Sequence, residues 1–524
     1  MARFGLIGPS YSSQSLNADC QRTVNWYPEA IESQVGKSAF ALYPTPGTQI
    51  FVTLPGTPER GSLEINGRAF AVSGTNFCEV FANGTFNVIA QVLNDLQPVS
   101  MVASPQQLLL TSGGGLYVSW LQTTMGGTNP QVAGTFLQVP AAIFTLPSGQ
   151  QGSPIQVEFL DGFFIVLLRN SQTMYLSVPF DASTYIVPGV GNTQVITVSV
   201  FSDNVQSIVV NQRRLYVQGR KRSTVYYDSG SANILDVDPS GTSENGSVAI
   251  FGVTRADNSV FWLDQDERGA SVARRMSGYT PQRISNHAIE YAIQSYPTVS
   301  DLVTYAYQDQ GHTFVQFNFP TAQKTWVYDV ATNMWHERAF FNAATGMYSA
   351  HKSWNHMYAF GKHLVGDPQS GNLYQMAIPS VYGGVWQFAT DAGGALIHRL
   401  RQSPHVSIEQ NWMYHNELII LAEAGLGPQP PLLDGAGNPR GPKLTLSWSN
   451  DYAHTWSNEY DLGAGQAGQY RQRLRRARLG RARDRVYQIK TSDPIPWRLI
   501  EGYLNADPGF KPQERISHTY QKVT

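Results

Sequence analysis

The chain has 524 residues, beyond the size at which one hydrophobic core stops growing, so several domains or one large repeat architecture are expected. Only 14% of residues are charged, while 47 Gly, 30 Pro and 12% aromatics favour many short strands over long helices. The formal net charge of −1 excludes a global pull toward nucleic acid or anionic membranes, and two cysteines, Cys20 and Cys78, exclude a disulfide framework.

Residues 1–54 carry Pro9, Pro28, Pro44 and Pro46 with little apolar alternation, which predicts an extended N-terminal arm held by its neighbours. Met1 to Pro9 lacks the apolar stretch of a signal peptide. The longest apolar run, Phe163 to Leu168, is too short to span a bilayer, so no membrane anchor is expected.

From about residue 55 a three-strand unit recurs. Its first copy reads Ser62 to Ile65, the turn Asn66-Gly67, Arg68 to Val72, the turn Ser73-Gly74-Thr75, and Asn76 to Val80. Asn-Gly between alternating apolar residues is the strongest short hairpin signal, because both turn positions need φ > 0. A second copy turns at Ser104-Pro105-Gln106 and a third at Asp161-Gly162, with further turns near Asn211, Asp257, Asp309 and Asn355. Seven copies at this spacing predict an all-β fold, a β-propeller of about seven blades over residues 55–384, closed so that no sheet edge is left open. Tyr328-Asp329-x5-Trp335 has the spacing of kelch blades. A sandwich of unrelated hairpins is the alternative.

After residue 385 the repeat is lost. A Pro/Gly-rich stretch, Gly425 to Pro442, separates the strand Glu417 to Ala422 from a β-rich block at Lys443 to Asp507, so residues 385–524 are expected to form a C-terminal β domain.

Chemical signatures are sparse. Gly463-Ala464-Gly465-Gln466-Ala467-Gly468 matches G-x-G-x-x-G but follows the polar Asn458 to Asp461 rather than a buried strand, and reads as a connector. The 11 histidines show no metal-ligand spacing and no G-x-S-x-G elbow is present, so no catalytic residue, cofactor or metal is assigned. Ser449 to Trp456 resembles an Asp-box with Ala453 in place of Gly; Asp451 is expected to bond turn amides while Trp456 packs beneath.

The outstanding charge feature is Arg471, Arg473, Arg475, Arg476, Arg478, Arg481, Arg483 and Arg485, flanking a Leu479-Gly480 turn. In a hairpin, Arg471, Arg473 and Arg475 form a row on one side. The segment is either a solvated face balanced by carboxylates or an interface with phosphate or an acidic protein surface.

The chain resembles the packaged-DNA stabilisation proteins of short-tailed bacteriophages, the tail hub or nozzle family. The resemblance rests on Leu16 to Cys20, Val24 to Glu29 and Leu42 to Gly47 near the N-terminus. Near the other end it rests on Leu446 to Asp451, Gly480 to Tyr487 and Ser492-Asp493-Pro494. It implies a non-enzymatic virion protein, assembled in the host cytoplasm as a six-fold ring below the portal-adaptor ring. Such a ring extends the exit channel for packaged double-stranded DNA and offers sites to tail fibres or spikes and to a tail plug or needle. The competing reading is a carbohydrate-binding or carbohydrate-hydrolysing propeller, although no carboxylate pair at hydrolase spacing is identifiable.

Overall fold

The computed structural model describes residues 2–524 except 34–36, 123–131, 187–193, 232–233, 266–268, 270, 384, 429 and 510–524. The chain divides into two compact units, one of residues 44–398 and one combining residues 1–43 with 399–524.

Among the described residues the first unit contains six four-stranded antiparallel sheets and a seventh four-strand meander, Val303–Asp309, His312–Phe319, Lys324–Asp329 and Met334–Glu337, that is part of a larger sheet. In blade 1 the strands Glu59–Ile65, Arg68–Ser73, Asn76–Val80 and Phe86–Gln91 follow one another as a meander. Blades 2 to 6 start at Ser100–Ala103, Pro154–Leu160, Val205–Asn211, Val253–Ala256 and Val303–Asp309. These first strands touch in chain order around a ring, and Asn355–Ala359 of blade 7 returns to the first strand of blade 1, so the propeller is closed. The hairpin turns follow the sequence signal: Asn66 and Gly67 sit at φ 52° and 78°, Asp161 and Gly162 at 49° and 100°.

Two expectations need correction. Blade 7 has only three strands from its own stretch, Asn355–Ala359, Lys362–Gly366 and Asn372–Ala377, and its turn lies at Phe360-Gly361 rather than near Asn355. Its fourth strand is Gly47–Thr53, paired antiparallel to Asn372–Ala377, so these residues belong to the propeller and not to an arm. Residues 385–398 likewise remain with the propeller unit.

Blades are held face to face by apolar side chains that alternate along each strand. Phe70, Val72 and Phe77 of blade 1 meet Leu108, Leu110 and Tyr117 of blade 2, and Ile165 and Leu167 of blade 3 meet Leu215 and Val217 of blade 4. Each such fully buried side chain stabilises the fold by about 1.5–3 kcal/mol. Across the closure, Val52 packs with Leu364 and Leu373 of blade 7 and Cys78 of blade 1. Buried Arg60 ties the first two blades together, donating to the carbonyls of Gln97 (2.7 Å) and Leu93 (3.0 Å) and to Ser112 Oγ (2.8 Å). One helix, His287–Gln294, lies between blades 5 and 6; its N-cap Asn286 accepts from Ile289 N at 3.0 Å.

The second unit is built from two sheets. One runs Trp26–Ala30, Phe40–Pro44, Leu499–Pro508, Met413–Ala422, Leu474–Ala477 in spatial order. The other includes Cys20–Val24, Arg399–Gln402, Asp484–Thr491, Lys443–Ser449 and Tyr460–Gly463. Along Met413–Ala422, Met413, His415, Leu418, Ile420 and Ala422 are buried, the alternation of a strand with one face in a core. His415 Nδ1 and Tyr487 Oη, one from each sheet, lie 2.9 Å apart.

Candidate assembly interface

The arginine-rich segment is not a hairpin. Leu474–Ala477 and Arg481–Ala482 both pair with the single strand Met413–Ala422, and Arg478 to Gly480 bulge out between them. Arg478 at φ 60° and Gly480 at φ 78° supply the bulge. The chain then crosses to the other sheet as Asp484–Thr491. The segment is thus an edge strand, where arginines also discourage pairing with further strands.

This geometry sorts the eight arginines. Arg471, Arg473, Arg475, Arg476, Arg478, Arg481 and Arg483 are exposed. Arg485 is 1% exposed and donates to Asn450 Oδ1 (2.8 Å) and the Leu479 carbonyl (2.7 Å), so it is a core residue rather than a surface one. The expected row of Arg471, Arg473 and Arg475 is broken, because the strand starts at Leu474 and the first two precede it.

Few carboxylates balance the exposed set. Among the described residues only Arg475 has an ion-pair partner, Glu417 at 3.4 Å. Arg476 lies 4.1 Å over the Tyr460 ring, and Arg481 and Arg483 lie 4.7 and 5.0 Å over Trp412. No Asp or Glu occurs between Arg471 and Arg483. The result is a positive, aromatic-backed edge, with planar guanidinium groups held flat on rings and their N–H edges open to a partner.

Two residues that the sequence did not signal fasten the N-terminal segment to this unit. Fully buried Arg401 donates to the carbonyls of Leu6 and Pro9, to Thr23 Oγ1 and to Gln21 Oε1. His405 holds the Leu16 carbonyl (2.8 Å) with one ring nitrogen and Asp484 (2.7 Å) with the other. Both acceptors lack a proton to give, so both ring nitrogens donate and the imidazole is charged; the paired carboxylate pushes its pKa up to about 10. Residues 1–43 are therefore part of this unit, held by its neighbouring strands.

The remaining motifs are structural. Asp329 of the kelch-like stretch is buried and bonds His312 Nδ1 (2.9 Å), Ala331 N (3.0 Å) and Thr332 Oγ1 (2.7 Å), while Tyr328 packs on Trp335. Asp451 accepts from Thr455 N (2.9 Å) and Ser449 Oγ (2.6 Å), closing a turn whose Tyr452 and Ala453 have φ 60° and 68°. Among the described residues no group of three His, Cys, Asp or Glu side chains could hold a metal ion, and no helix is long and apolar enough to cross a membrane.

Comparison with known proteins places this architecture. Residues 13–379 match the family model described as bacteriophage P22 Gp10, β-propeller, and residues 398–506 match that of the bacteriophage P22 Gp10 β-sandwich. These matches define the class, a structural protein of a phage tail concerned with DNA stabilisation. The chain belongs to the bacteriophage P22 Gp10 family. No curated protein matches it. Similar solved structures include the extracellular domain of the putative hybrid two component system BT4673 from B. thetaiotaomicron, with 8% identity and TM-score 0.41. That match covers 64% of this chain and 40% of the other, so this chain spans less than half of that domain. The N-terminal domain of Nup159 has 10% identity and TM-score 0.40, over 68% and 98% of the two chains. The computationally designed Ika8 protein has 10% and 0.35, over 63% and 99%. Likenesses this distant carry no argument.

Proposed function

We propose that the protein acts by assembly and not by chemistry, as the ring-forming tail hub or nozzle of a short-tailed phage. In this reading six copies attach below the portal-adaptor ring, prolong the DNA exit channel, help retain the packaged genome and carry fibres or spikes and a distal plug or needle. Family membership supports it. The first strands of the seven blades line a central cavity of only about 240 Å³. A duplex whose major groove alone is about 12 Å wide cannot thread it, so the DNA passage lies between copies.

The observation that carries the interface is the edge from Arg471 to Arg483, seven exposed arginines with one carboxylate in reach. A ring multiplies that edge into a positive band. DNA that must slide out is poorly served by many phosphate contacts, each of which adds affinity and salt sensitivity. The edge therefore faces protein carboxylates, in a neighbouring copy or the adaptor, in bidentate geometry. Phage carrying Arg473→Ala, Arg475→Ala and Arg476→Ala together should yield fewer assembled tails, with DNA loss only as a consequence. Particles that assemble normally yet leak or eject DNA abnormally would turn the edge toward the channel.

A further inference from the structure

On the propeller face that carries the first hairpin turns, the tips of blades 3, 4 and 5 surround an open cavity of about 560 Å³, a volume typical of small-molecule sites. It is lined by Asp161 from the blade 3 turn, Arg213, Arg214, Tyr216 and Asp228 of blade 4, and Tyr279 of blade 5, with Gln212 and Asn258 at the turns.

Much of its hydrogen-bonding capacity is unspent. Tyr216 is 6% exposed, yet its hydroxyl makes no hydrogen bond among the described residues. Among the described residues Arg214 hydrogen-bonds only through Nε, which donates to Tyr279 Oη at 3.2 Å, and its Cζ lies 5.1 Å from the Tyr227 ring centre, so both Nη groups are left to donate to a ligand. Asp228 Oδ1 accepts from Gly230 N at 2.9 Å, and Oδ2 makes no hydrogen bond among the described residues. The side-chain amides of Gln212 and Asn258 are likewise unengaged among the described residues. The cluster also costs backbone strain, since Gln212 and Arg213 both sit in the left-handed region, at φ 49° and 57°, without a glycine to relieve it.

The chemistry of this set selects a ligand class. Two guanidinium groups are matched by two carboxylates, with Arg213 Nε already on Asp161 Oδ1 at 3.0 Å, so the basin has no excess charge for a simple anion or cation. What it offers is a forked donor, an open carboxylate oxygen, a phenol able to donate or accept and two amides. Adjacent sugar hydroxyls both donate and accept, which matches this mixed, charge-balanced set. We propose that the basin at the tips of blades 3–5 binds a neutral saccharide, held by Arg214, Tyr216 and Asp228. This proposal stands independently of the ring reading.

Saturation-transfer NMR on the full chain, with free glucose, galactose, mannose, rhamnose and N-acetylglucosamine as probes, tests it. At least one sugar should receive saturation. Tyr216→Phe, which keeps the ring in the blade packing, should weaken that sugar about fivefold, as expected for one neutral hydrogen bond, and Arg214→Ala more than about tenfold. Unchanged melting of Tyr216→Phe keeps the comparison clean if Arg214→Ala fails to fold. Absence of transfer to every sugar, equal transfer in wild type and Tyr216→Phe, or displacement of the sugar by millimolar sulfate would each overturn the proposal.

Discussion

His405 and Asp484 are joined by a 2.7 Å hydrogen bond whose other end, through the imidazole, is the Leu16 carbonyl. The histidine's folded pKa, raised to about 10, lies above its ordinary value of 6.5. A raised pKa means that the folded state holds the proton more tightly. The stabilisation is therefore complete below about pH 6.5 and is lost as pH rises through about 10. Hydrogen exchange around Leu16 should accelerate from pH 7 to pH 10 beyond the intrinsic rate, and His405→Phe should remove that excess.

Arg401→Met removes five donors from a buried site and strands two carbonyls, a hydroxyl and an amide oxygen. Leaving such acceptors unpaired costs about 3 kcal/mol or more. Limited proteolysis should then cut within residues 6–20 while blade strands stay protected.

Closure of the propeller by Gly47–Thr53 separates two deletions that a free arm would make alike. Removing residues 1–43 should leave the propeller unit's thermal transition in place, whereas removing residues 1–54 should lower it. Val52→Asp, which sets a carboxylate among Leu364, Leu373 and Cys78, should destabilise the propeller by about 3 kcal/mol or more.

Ala453 occupies the left-handed position that glycine fills in the Asp-box pattern. Ala453→Gly should stabilise the second unit by about 0.5–1 kcal/mol in chemical denaturation, because the relief of Cβ strain exceeds the entropy a glycine adds.

The sequence shows the blades where burial and turn chemistry coincide. Phe163–Leu168 is apolar throughout and follows Asp161-Gly162, so its hairpin was legible. Fourth strands such as Phe86–Gln91 and Thr280–Arg283 are largely exposed, carry no alternation, and went unseen. Blade 7 misled because Asn355 is used for its side chain, which bonds Glu59 and Ser62, while Phe360-Gly361 makes the turn. Composition revealed the arginine cluster but could not separate Arg485, which is covered by Trp448 on the neighbouring strand and Tyr487 on its own. Half of the bonds of Arg401 and His405 go to backbone carbonyls, which any sequence supplies, and the rest go to side chains distant in sequence, so nothing in the pattern around them announces the contact.

The strand Gly47–Thr53 leaves the ribosome about 320 residues before Ala377, the end of its partner. At about 5–20 residues per second it waits roughly 15–65 s with both edges unpaired. The strand Cys20–Val24 waits similarly for Arg399–Gln402. Each unit is thus completed by a segment translated early and docked late, so a ribosome stalled before residue 377 holds a propeller open at one blade.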